Sequence, residues 1–337
     1  MKKLYTVAVL GATGAMGRYL TPKLAERGYQ VDAVSLDSIT SDKPNLRYIQ
    51  TKNAMDPAFV DEIVKNRYDA VVDFMIYNSV SFRKTFRKYC ENAGQYIYTS
   101  SCRVYANEEN PIVESSPRLL DVTTDEKLLF SDDYCMHKAR AEDLLWSTDY
   151  NNFTIVRPAT TFSEMRYQLV TLEAKDTVGR ARKGKKVVVP IQAKDKPATL
   201  CWGGDVAKMI ARLMFKPETM REAYNVCSSE SRTWGEIADY YKQLCGLEAV
   251  WVDKEDYLKI LNPAVPNAAR WQLEYARLFR RITDNIKMLS VTGLKQSDFM
   301  TLYDALKMMI DAVPEGYEFP DTDAGRRMDA YLEEHGL

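Results

Sequence analysis

The stretch "LYTVAVLGATGAMGRYL", residues 4–20, decides the fold of this 337-residue chain. A short apolar run leads directly into three glycines with the spacing GxxGxxG, Gly11, Gly14 and Gly17, and a helical pattern follows them. Glycine permits a tight turn and a close approach to the backbone, and the start of a helix favours negative charge. The stretch therefore predicts a β-strand, a phosphate-binding turn and an α-helix.

The glycine spacing differs from the GxGxxG of the commonest dinucleotide fingerprint, and glycine-rich turns also occur for purely steric reasons. The strand before the turn and the helix after it favour a dinucleotide site over that alternative. The next strand ends in "VSLDS" (34–38), with Ser35 where an acidic residue commonly holds the adenine ribose, and Asp37 two residues later. No arginine stands there to bind a 2′-phosphate, so NAD is the predicted cofactor and NADP the alternative.

Beyond this stretch, β-rich runs alternate with amphipathic helical stretches. The predicted strands are 30–36, 46–51, 69–75, 95–101 and 153–162, and the predicted helices are 15–28, 56–66 and 80–93. This alternation predicts an α/β fold of the Rossmann type, a doubly wound parallel sheet with helices on both faces. We assign residues 1–160 and 198–230 to this cofactor domain. A smaller, mostly helical substrate domain takes 161–197 and 231–337.

Composition excludes several classes of function. The 46 Lys and Arg residues are balanced by 47 Asp and Glu, so no basic field attracts nucleic acid or an anionic membrane. There is no apolar run of about 18 residues, and the N-terminus reaches its glycines too early for a signal peptide, which predicts a cytoplasmic protein. The six cysteines lie far apart without a CxxC, and there are only two histidines, so we expect no bound metal and no disulfide framework.

A second motif lies in "SDDYCMHKARAEDLL" (131–145), where Tyr134 precedes Lys138 by four residues at the start of a predicted helix. Residues four apart lie on one face of a helix. A nearby ammonium favours the phenolate and moves the pKa of tyrosine, ordinarily about 10, toward a range useful for acid–base catalysis. The alternative interpretation is a half-buried tyrosine beside a solvated lysine.

With these motifs and "YTSSCRVYAN" (98–107), the chain resembles the extended short-chain dehydrogenase/reductase family, the NAD-dependent epimerase/dehydratase group that acts on nucleotide sugars. The resemblance runs from residue 4 to about residue 300. It implies the catalytic set Ser101, Tyr134 and Lys138: the serine polarises the substrate oxygen, the tyrosine moves its proton, and the lysine also binds the nicotinamide ribose. It further implies a homodimer, with the helices at 80–93 and at Tyr134 packed against their mates.

The predicted site residues follow from these motifs and from the resemblance. The cofactor contacts are Gly11, Ala12, Thr13, Gly14, Ala15, Met16, Gly17, Ser35, Asp37, Asn53, Ala54, Phe74, Met75, Tyr134, Lys138 and Pro158. The predicted substrate contacts are Tyr77, Cys102, Arg103 and Arg166. For the bulky residues of "VVDFMIYN" (71–78), a place in the core is the alternative to a place in the site.

The chain departs from the nucleotide-sugar 4,6-dehydratases at "SSCRVY" (100–105). Those enzymes carry an Asp-Glu pair where this chain has Cys102 and Arg103, and a thiol and a cation cannot supply the acid and base of the elimination. Arg103 can instead bind a substrate carboxylate or phosphate through two donors. The alternative for Arg103 is a structural ion pair near the edge of the sheet.

Three functions remain to be compared. The leading hypothesis is an epimerase acting on a nucleotide-activated sugar, and the second is a carbonyl reductase or dehydrogenase with the same three catalytic residues. The third is a non-catalytic RNA- or cofactor-binding protein, because "DFM" and Ser35 also resemble the branch with the chloroplast stem-loop-binding proteins. RNA binding needs a basic face, and the only candidates, "RARKGKK" (180–186) and "YARLFRRITDNIK" (275–287), are typical of solvated surfaces.

Overall fold

The computed structural model describes residues 4–337 and contains a central sheet of seven parallel strands. In chain order the strands of the molecule are β1 (Thr6–Leu10), β2 (Gln30–Ser35), β3 (Leu46–Gln50), β4 (Ala70–Asp73), β5 (Tyr96–Thr99), β6 (Phe153–Pro158), β7 (Thr160–Phe162), β8 (Val187–Pro190), β9 (Pro197–Ala198), β10 (Leu200–Trp202), β11 (Glu222–Val226), β12 (Arg232–Thr233) and β13 (Ala249–Val252). The central sheet has the order β11-β6-β5-β4-β1-β2-β3, and the other strands form the pairs β7–β10, β9–β12 and β8–β13.

Helices connect and cover the strands. They are α1 (Gly17–Glu26), α2 (Pro57–Ile63), α3 (Ser79–Asn92), α4 (Leu119–Val122), α5 (Glu126–Leu129), α6 (Tyr134–Trp146), α7 (Val178–Arg182), α8 (Gly203–Leu213), α9 (Trp234–Cys245), α10 (Lys254–Leu261), α11 (Asn267–Gln272), α12 (Ile286–Thr292), α13 (Leu302–Asp311) and α14 (Asp323–Glu334). A π-helical turn, Leu273–Arg277, continues α11. None of the helices in residues 4–337 has both the length and the apolar character needed to cross a bilayer.

The two faces of the sheet pack against different helices. Along β1, Val7 and Val9 pack with α1, α8 and α12, whereas Ala8 and Leu10 pack with α2, α3 and α6. Successive side chains of a strand point to opposite faces, so a strand buried on both sides is apolar throughout. The predicted doubly wound α/β fold is thereby confirmed.

A third apolar core lies outside the sheet and contains residues of α7, α9, α10, α13 and α14 and of the β8–β13 pair. Within the segment 198–230, β11 is the edge strand of the central sheet and α8 covers it. Ala198 and Leu200 of the same segment pack into the third core instead. The chain therefore passes from the third core to the central sheet between Leu200 and α8.

Candidate active site

A cleft of about 670 Å³ opens at the carboxyl ends of the parallel strands, where ligands bind in open α/β sheets. All but three of the predicted site residues line it, namely Gly11, Thr13, Gly14, Ala15, Met16, Gly17, Ser35, Asp37, Ala54, Phe74, Met75, Ser101, Cys102, Arg103, Tyr134, Lys138, Pro158 and Arg166. Residues as far apart in sequence as Gly11 and Arg166 therefore meet around one space. Parallel strands explain this, because all of their carboxyl ends lie at one edge.

Three predicted residues lie elsewhere. Ala12 is buried beneath the turn, where its N–H donates to the carbonyl of Val34 at 2.9 Å. Asn53 is exposed and does not line the cleft. Tyr77 is 1% exposed and donates its hydroxyl to Asp73 at 2.9 Å, so it occupies the core position that was the alternative interpretation.

The glycine loop has the shape that phosphate binding requires. Gly11 adopts φ +77°, which L side chains rarely adopt, and a Cβ on Gly17 would lie 2.3 Å from the carbonyl oxygen of Gly11. Among residues 4–337, the N–H groups of Ala15 and Met16, just before α1, have no hydrogen-bond acceptor. Free N–H groups at a helix start form an anion site, so the loop fits the pyrophosphate of a dinucleotide.

The end of β2 forms the next part of the cleft wall. The Ser35 hydroxyl accepts the N–H of Asp37 at 2.8 Å and lies 3.1 Å from the Thr13 hydroxyl, which ties this strand end to the glycine loop. The Asp37 carboxylate is exposed in the cleft and has no ion-pair partner in the described part of the chain. A free carboxylate there can accept hydrogen bonds from ribose hydroxyls.

The three predicted catalytic residues meet in the middle of the cleft. Ser101 follows β5, Tyr134 is the first residue of α6, and Lys138 lies one turn later with its Nζ 5.8 Å from the centre of the Tyr134 ring. The Lys138 ammonium donates to the carbonyls of Thr99 at 2.7 Å and of Met75 at 3.3 Å. These bonds hold the ammonium at the cleft wall although the side chain is buried.

Burial shifts the pKa values of both Lys138 and Tyr134. It lowers the pKa of Lys138 to about 8, and the negative charges of Asp73 and Glu142 oppose that change. Burial also raises the pKa of Tyr134, while the Ser101 hydroxyl and the Arg103 guanidinium oppose the increase. The net direction for Tyr134 is opposite to the one expected from a lysine neighbour alone, because loss of solvent outweighs the nearby cations.

Asp73, at the end of β4, is connected to Lys138 through Met75 and was not predicted as a site residue. It is fully buried and accepts the hydroxyls of Tyr77 at 2.9 Å and Tyr96 at 2.7 Å. It also accepts the N–H of Met75 at 2.9 Å, and the carbonyl of Met75 in turn accepts from Lys138. Its position in an apolar strand was the sequence signal, because a buried carboxylate needs partners.

Three arginines, Arg103, Arg166 and Arg277, line the cleft. Arg103 forms an ion pair with Asp133 at 3.2 Å and lies over the Tyr134 ring, with 5.2 Å from Cζ to the ring centre. Arg166 is half exposed and lies 3.6 Å from Glu173. Arg277, 8% exposed, was missed because its basic segment is typical of a solvated surface. Further unpredicted lining residues include Thr51, Lys52, Ile76, Thr160, Thr161, Gln168 and Gln272.

The parallel sheet and the glycine loop define a nucleotide-binding protein of the Rossmann type. Residues 7–227 match the model of the NAD dependent epimerase/dehydratase family, and the chain belongs to this family. The match covers the central sheet from β1 to β11.

Solved structures resemble this fold over most of the chain at low sequence identity. Pal from Bacillus thuringiensis has a TM-score of 0.69 and 13% identity, covering 90% of this chain and 97% of its own. UDP-glucose 4-epimerase from Thermotoga maritima, solved with UDP-glucose, has a TM-score of 0.66 and 15% identity, covering 91% of this chain and 97% of its own. dTDP-glucose 4,6-dehydratase from Bacillus anthracis, solved with NAD, has a TM-score of 0.66 and 14% identity, covering 91% of this chain and 96% of its own. A search of curated proteins finds no match.

Proposed function

We propose that this protein is an NAD-dependent epimerase that acts on a nucleotide-activated sugar through transient hydride transfer. One observation carries the proposal: Ser101, Tyr134 and Lys138 line the same cleft as the glycine loop. NAD, when bound, supplies the acceptor and donor of the hydride. A protein that only bound RNA or a cofactor would have no use for this group of residues.

The glycine loop, Asp37 and Lys138 form the part of the cleft that fits NAD. The free N–H groups of Ala15 and Met16 bind the pyrophosphate. Asp37 binds the ribose hydroxyls of the adenosine, and its charge disfavours the extra phosphate of NADP. Lys138, already oriented by Thr99 and Met75, donates to the nicotinamide ribose.

The proton transfers belong to Tyr134. Its hydroxyl takes the proton of the reacting sugar hydroxyl and later returns it, while Ser101 donates a hydrogen bond to the substrate oxygen. The charges of Lys138 and Arg103 favour the ionised tyrosine that this step requires. Because burial raises the pKa of Tyr134 and the charge of Arg103 opposes that increase, removal of Arg103 makes the transfer harder.

The substrate class is supported by the cleft and by the solved relatives. UDP-glucose 4-epimerase and dTDP-glucose 4,6-dehydratase share the fold, and both names specify nucleotide sugars. Cys102 and Arg103 both line the cleft, and neither can replace the acid and base of an elimination, which favours epimerisation. The buried Arg277, which also lines the cleft, can bind the diphosphate of the nucleotide.

Tyr134→Phe tests the proposal, because it keeps the ring and removes only the hydroxyl. Turnover on a panel of UDP-, dTDP-, GDP- and CDP-sugars should fall about 10²-fold or more, with NAD binding retained. Tyr303→Phe on α13, which packs against Tyr240 far along the chain, is the matched control.

Turnover of a true substrate by Tyr134→Phe at the parent rate would contradict the catalytic role. Stoichiometric formation of NADH with the parent protein would identify the dehydrogenase alternative, since an epimerase regenerates its cofactor in each cycle.

A further inference from the structure

The glycine loop is contacted from behind by the start of α8. A Cβ on Gly203, the first residue of that helix, would lie 2.1 Å from the carbonyl oxygen of Ala15, the shortest such distance for any glycine in residues 4–337. It would also lie 3.2 Å from Cε2 of Tyr19 on α1. Gly203 is buried and does not line the cleft. Only a residue without a Cβ allows α8 to approach the loop this closely.

The contact falls on one of the peptide units that form the anion site. The carbonyl of Ala15 and the N–H of Met16 belong to the same unit, which is planar and trans, so the two groups point in opposite directions. Gly203 therefore lies on the side away from the Met16 N–H. Any movement of the Ala15 carbonyl changes the direction of that N–H. The contact with Gly203 thus fixes the direction of a donor that the cleft uses for phosphate.

The start of α8 is held in place and does not yield to a side chain on Gly203. The carboxylate of Asp205, 1% exposed, accepts the N–H of Met300 at 2.9 Å. The ring of Trp202 is edge-on to Tyr19 with 5.1 Å between centroids, and the apolar side chains of the helix are buried in the core of the sheet. The glycine loop, in contrast, borders the open cleft. Crowding at Gly203 therefore displaces the loop and not the helix.

Resting on the NAD site of the proposed function, we propose that Gly203 is a positioning residue for the cofactor. It supports the Ala15–Met16 peptide on the side away from the ligand and directs the Met16 N–H toward the pyrophosphate, without touching the cofactor itself. Gly11, Gly14 and Gly17 allow the turn to form, whereas Gly203 aligns its donors from a distant segment of the chain.

Gly203→Ala tests this role, because it adds one methyl group behind the loop. The Kd for NAD, measured by titration calorimetry on protein freed of bound cofactor, should rise about tenfold or more, since hydrogen bonds to charged groups are among the stronger ones. Gly94→Ala is the matched control: its Cβ would lie 2.7 Å from the carbonyl oxygen of Asp69, and it does not line the cleft. Both variants should lower the thermal midpoint, but Gly94→Ala should leave the Kd for NAD unchanged.

A direct measurement separates positioning from packing. Selective ¹⁵N labelling of methionine reports the Met16 amide, whose signal is identified by its loss in Met16→Leu. Saturating NAD should shift this signal in the parent and in Gly94→Ala, because the amide donates to a charged group. The shift should be smaller in Gly203→Ala. A merely destabilised protein that still binds NAD would show the full shift.

A second variant loosens the same contact without inserting atoms. Trp202→Leu removes the ring that packs against Tyr19, so the start of α8 supports the loop less firmly. The Kd for NAD should rise by about threefold, a partial loss of one hydrogen bond to a charged group. Trp251→Leu, a partly buried tryptophan on β13, is the control and should leave the Kd unchanged.

The outcomes separate this inference from the proposed function. Equal NAD affinity in Gly203→Ala and the parent, or an equal loss in Gly203→Ala and Gly94→Ala, overturns the positioning role and leaves the cofactor site standing. If Gly203→Ala does not fold, parent-like NAD affinity in Trp202→Leu overturns the role in the same way. Failure of the parent to bind NAD overturns both.

Discussion

The two ends of the cleft are built in different ways. The cofactor end consists of neighbouring residues, 11–17 and 35–37, and offers free backbone N–H groups and one exposed carboxylate. The substrate end is assembled from side chains between Arg103 and Arg277 and offers buried guanidinium groups. A turn that binds phosphate through its backbone needs only local sequence, whereas a charged pocket depends on how distant segments pack. The first end therefore follows from a local motif, and the second follows from the packing of distant segments.

Lys138 lies between the two ends, and its removal should have the largest effect. Lys138→Met keeps the buried stem and loses the ammonium, so turnover should fall by about 10²-fold or more, and NAD should bind more weakly. Tyr134→Phe, in contrast, should affect turnover alone. Titration calorimetry with NAD and a turnover assay distinguish the two variants. Unchanged NAD affinity in Lys138→Met would assign the lysine to the substrate end only.

His137, which lies beside Tyr134, should make the free energy of unfolding depend on pH. Its ring lies edge-on to Tyr134 with 5.3 Å between centroids, and burial lowers the pKa of His137 to about 4. Because the unfolded state takes up its proton first, near pH 6.5, the free energy of unfolding should fall as pH drops from about 6.5 to 4. The loss should reach up to about 3 kcal/mol.

Urea unfolding of the parent and of His137→Gln between pH 7 and pH 4 measures this effect. The variant should lose less stability over that interval, although the substitution itself costs some packing. His335→Gln, at the exposed end of α14, is the control for loss of a histidine. Equal pH dependence in the parent and in His137→Gln would show that other groups cause the acid sensitivity.

Substitution of Asp37 should change cofactor binding and leave sugar binding unchanged. Asp37→Asn removes the charge that binds ribose hydroxyls, so NAD affinity should fall by about tenfold, and the preference for NAD over NADP should decrease. Sugar binding to the NAD-saturated protein should not change. Asp42→Asn, an exposed aspartate in the following loop, is the matched control. An equal loss in both variants would indicate a general charge effect.

Asp73→Asn should have the smallest effect, one visible only in the pH profile. Asp73 raises the pKa of Lys138, so its neutralisation should move that pKa further below about 8. If the reaction needs the ammonium, the alkaline limb of kcat should shift to lower pH by about one unit, a few-fold loss at pH 8. Activity near pH 6.5 should be retained. An unchanged alkaline limb would mean that another group controls it.

Of the residues predicted for the glycine loop, all but Ala12 line the cleft, whereas Tyr77 and Asn53 do not. Gly11, Gly14 and Gly17 needed no tertiary information, because strand, turn and helix are local. Tyr77 was predicted in the site, yet the structure turns it inward to Asp73. In an irregular segment after a strand, side-chain direction no longer follows a fixed period, so spacing does not determine it. Asn53 lies in the loop before α2, where the same reasoning applies, and its side chain does not line the cleft.

What the sequence determined by itself is the parallel α/β sheet, the glycine loop and the Tyr134–Lys138 spacing, because each depends on contacts within a few residues or on a repeated period. Only the tertiary structure decided that Arg277 lines the cleft, that Asp73 supports Lys138 through Met75, and that burial raises rather than lowers the pKa of Tyr134. These properties depend on desolvation and on partners from distant segments, and both exist only once the sheet and the third core have packed together.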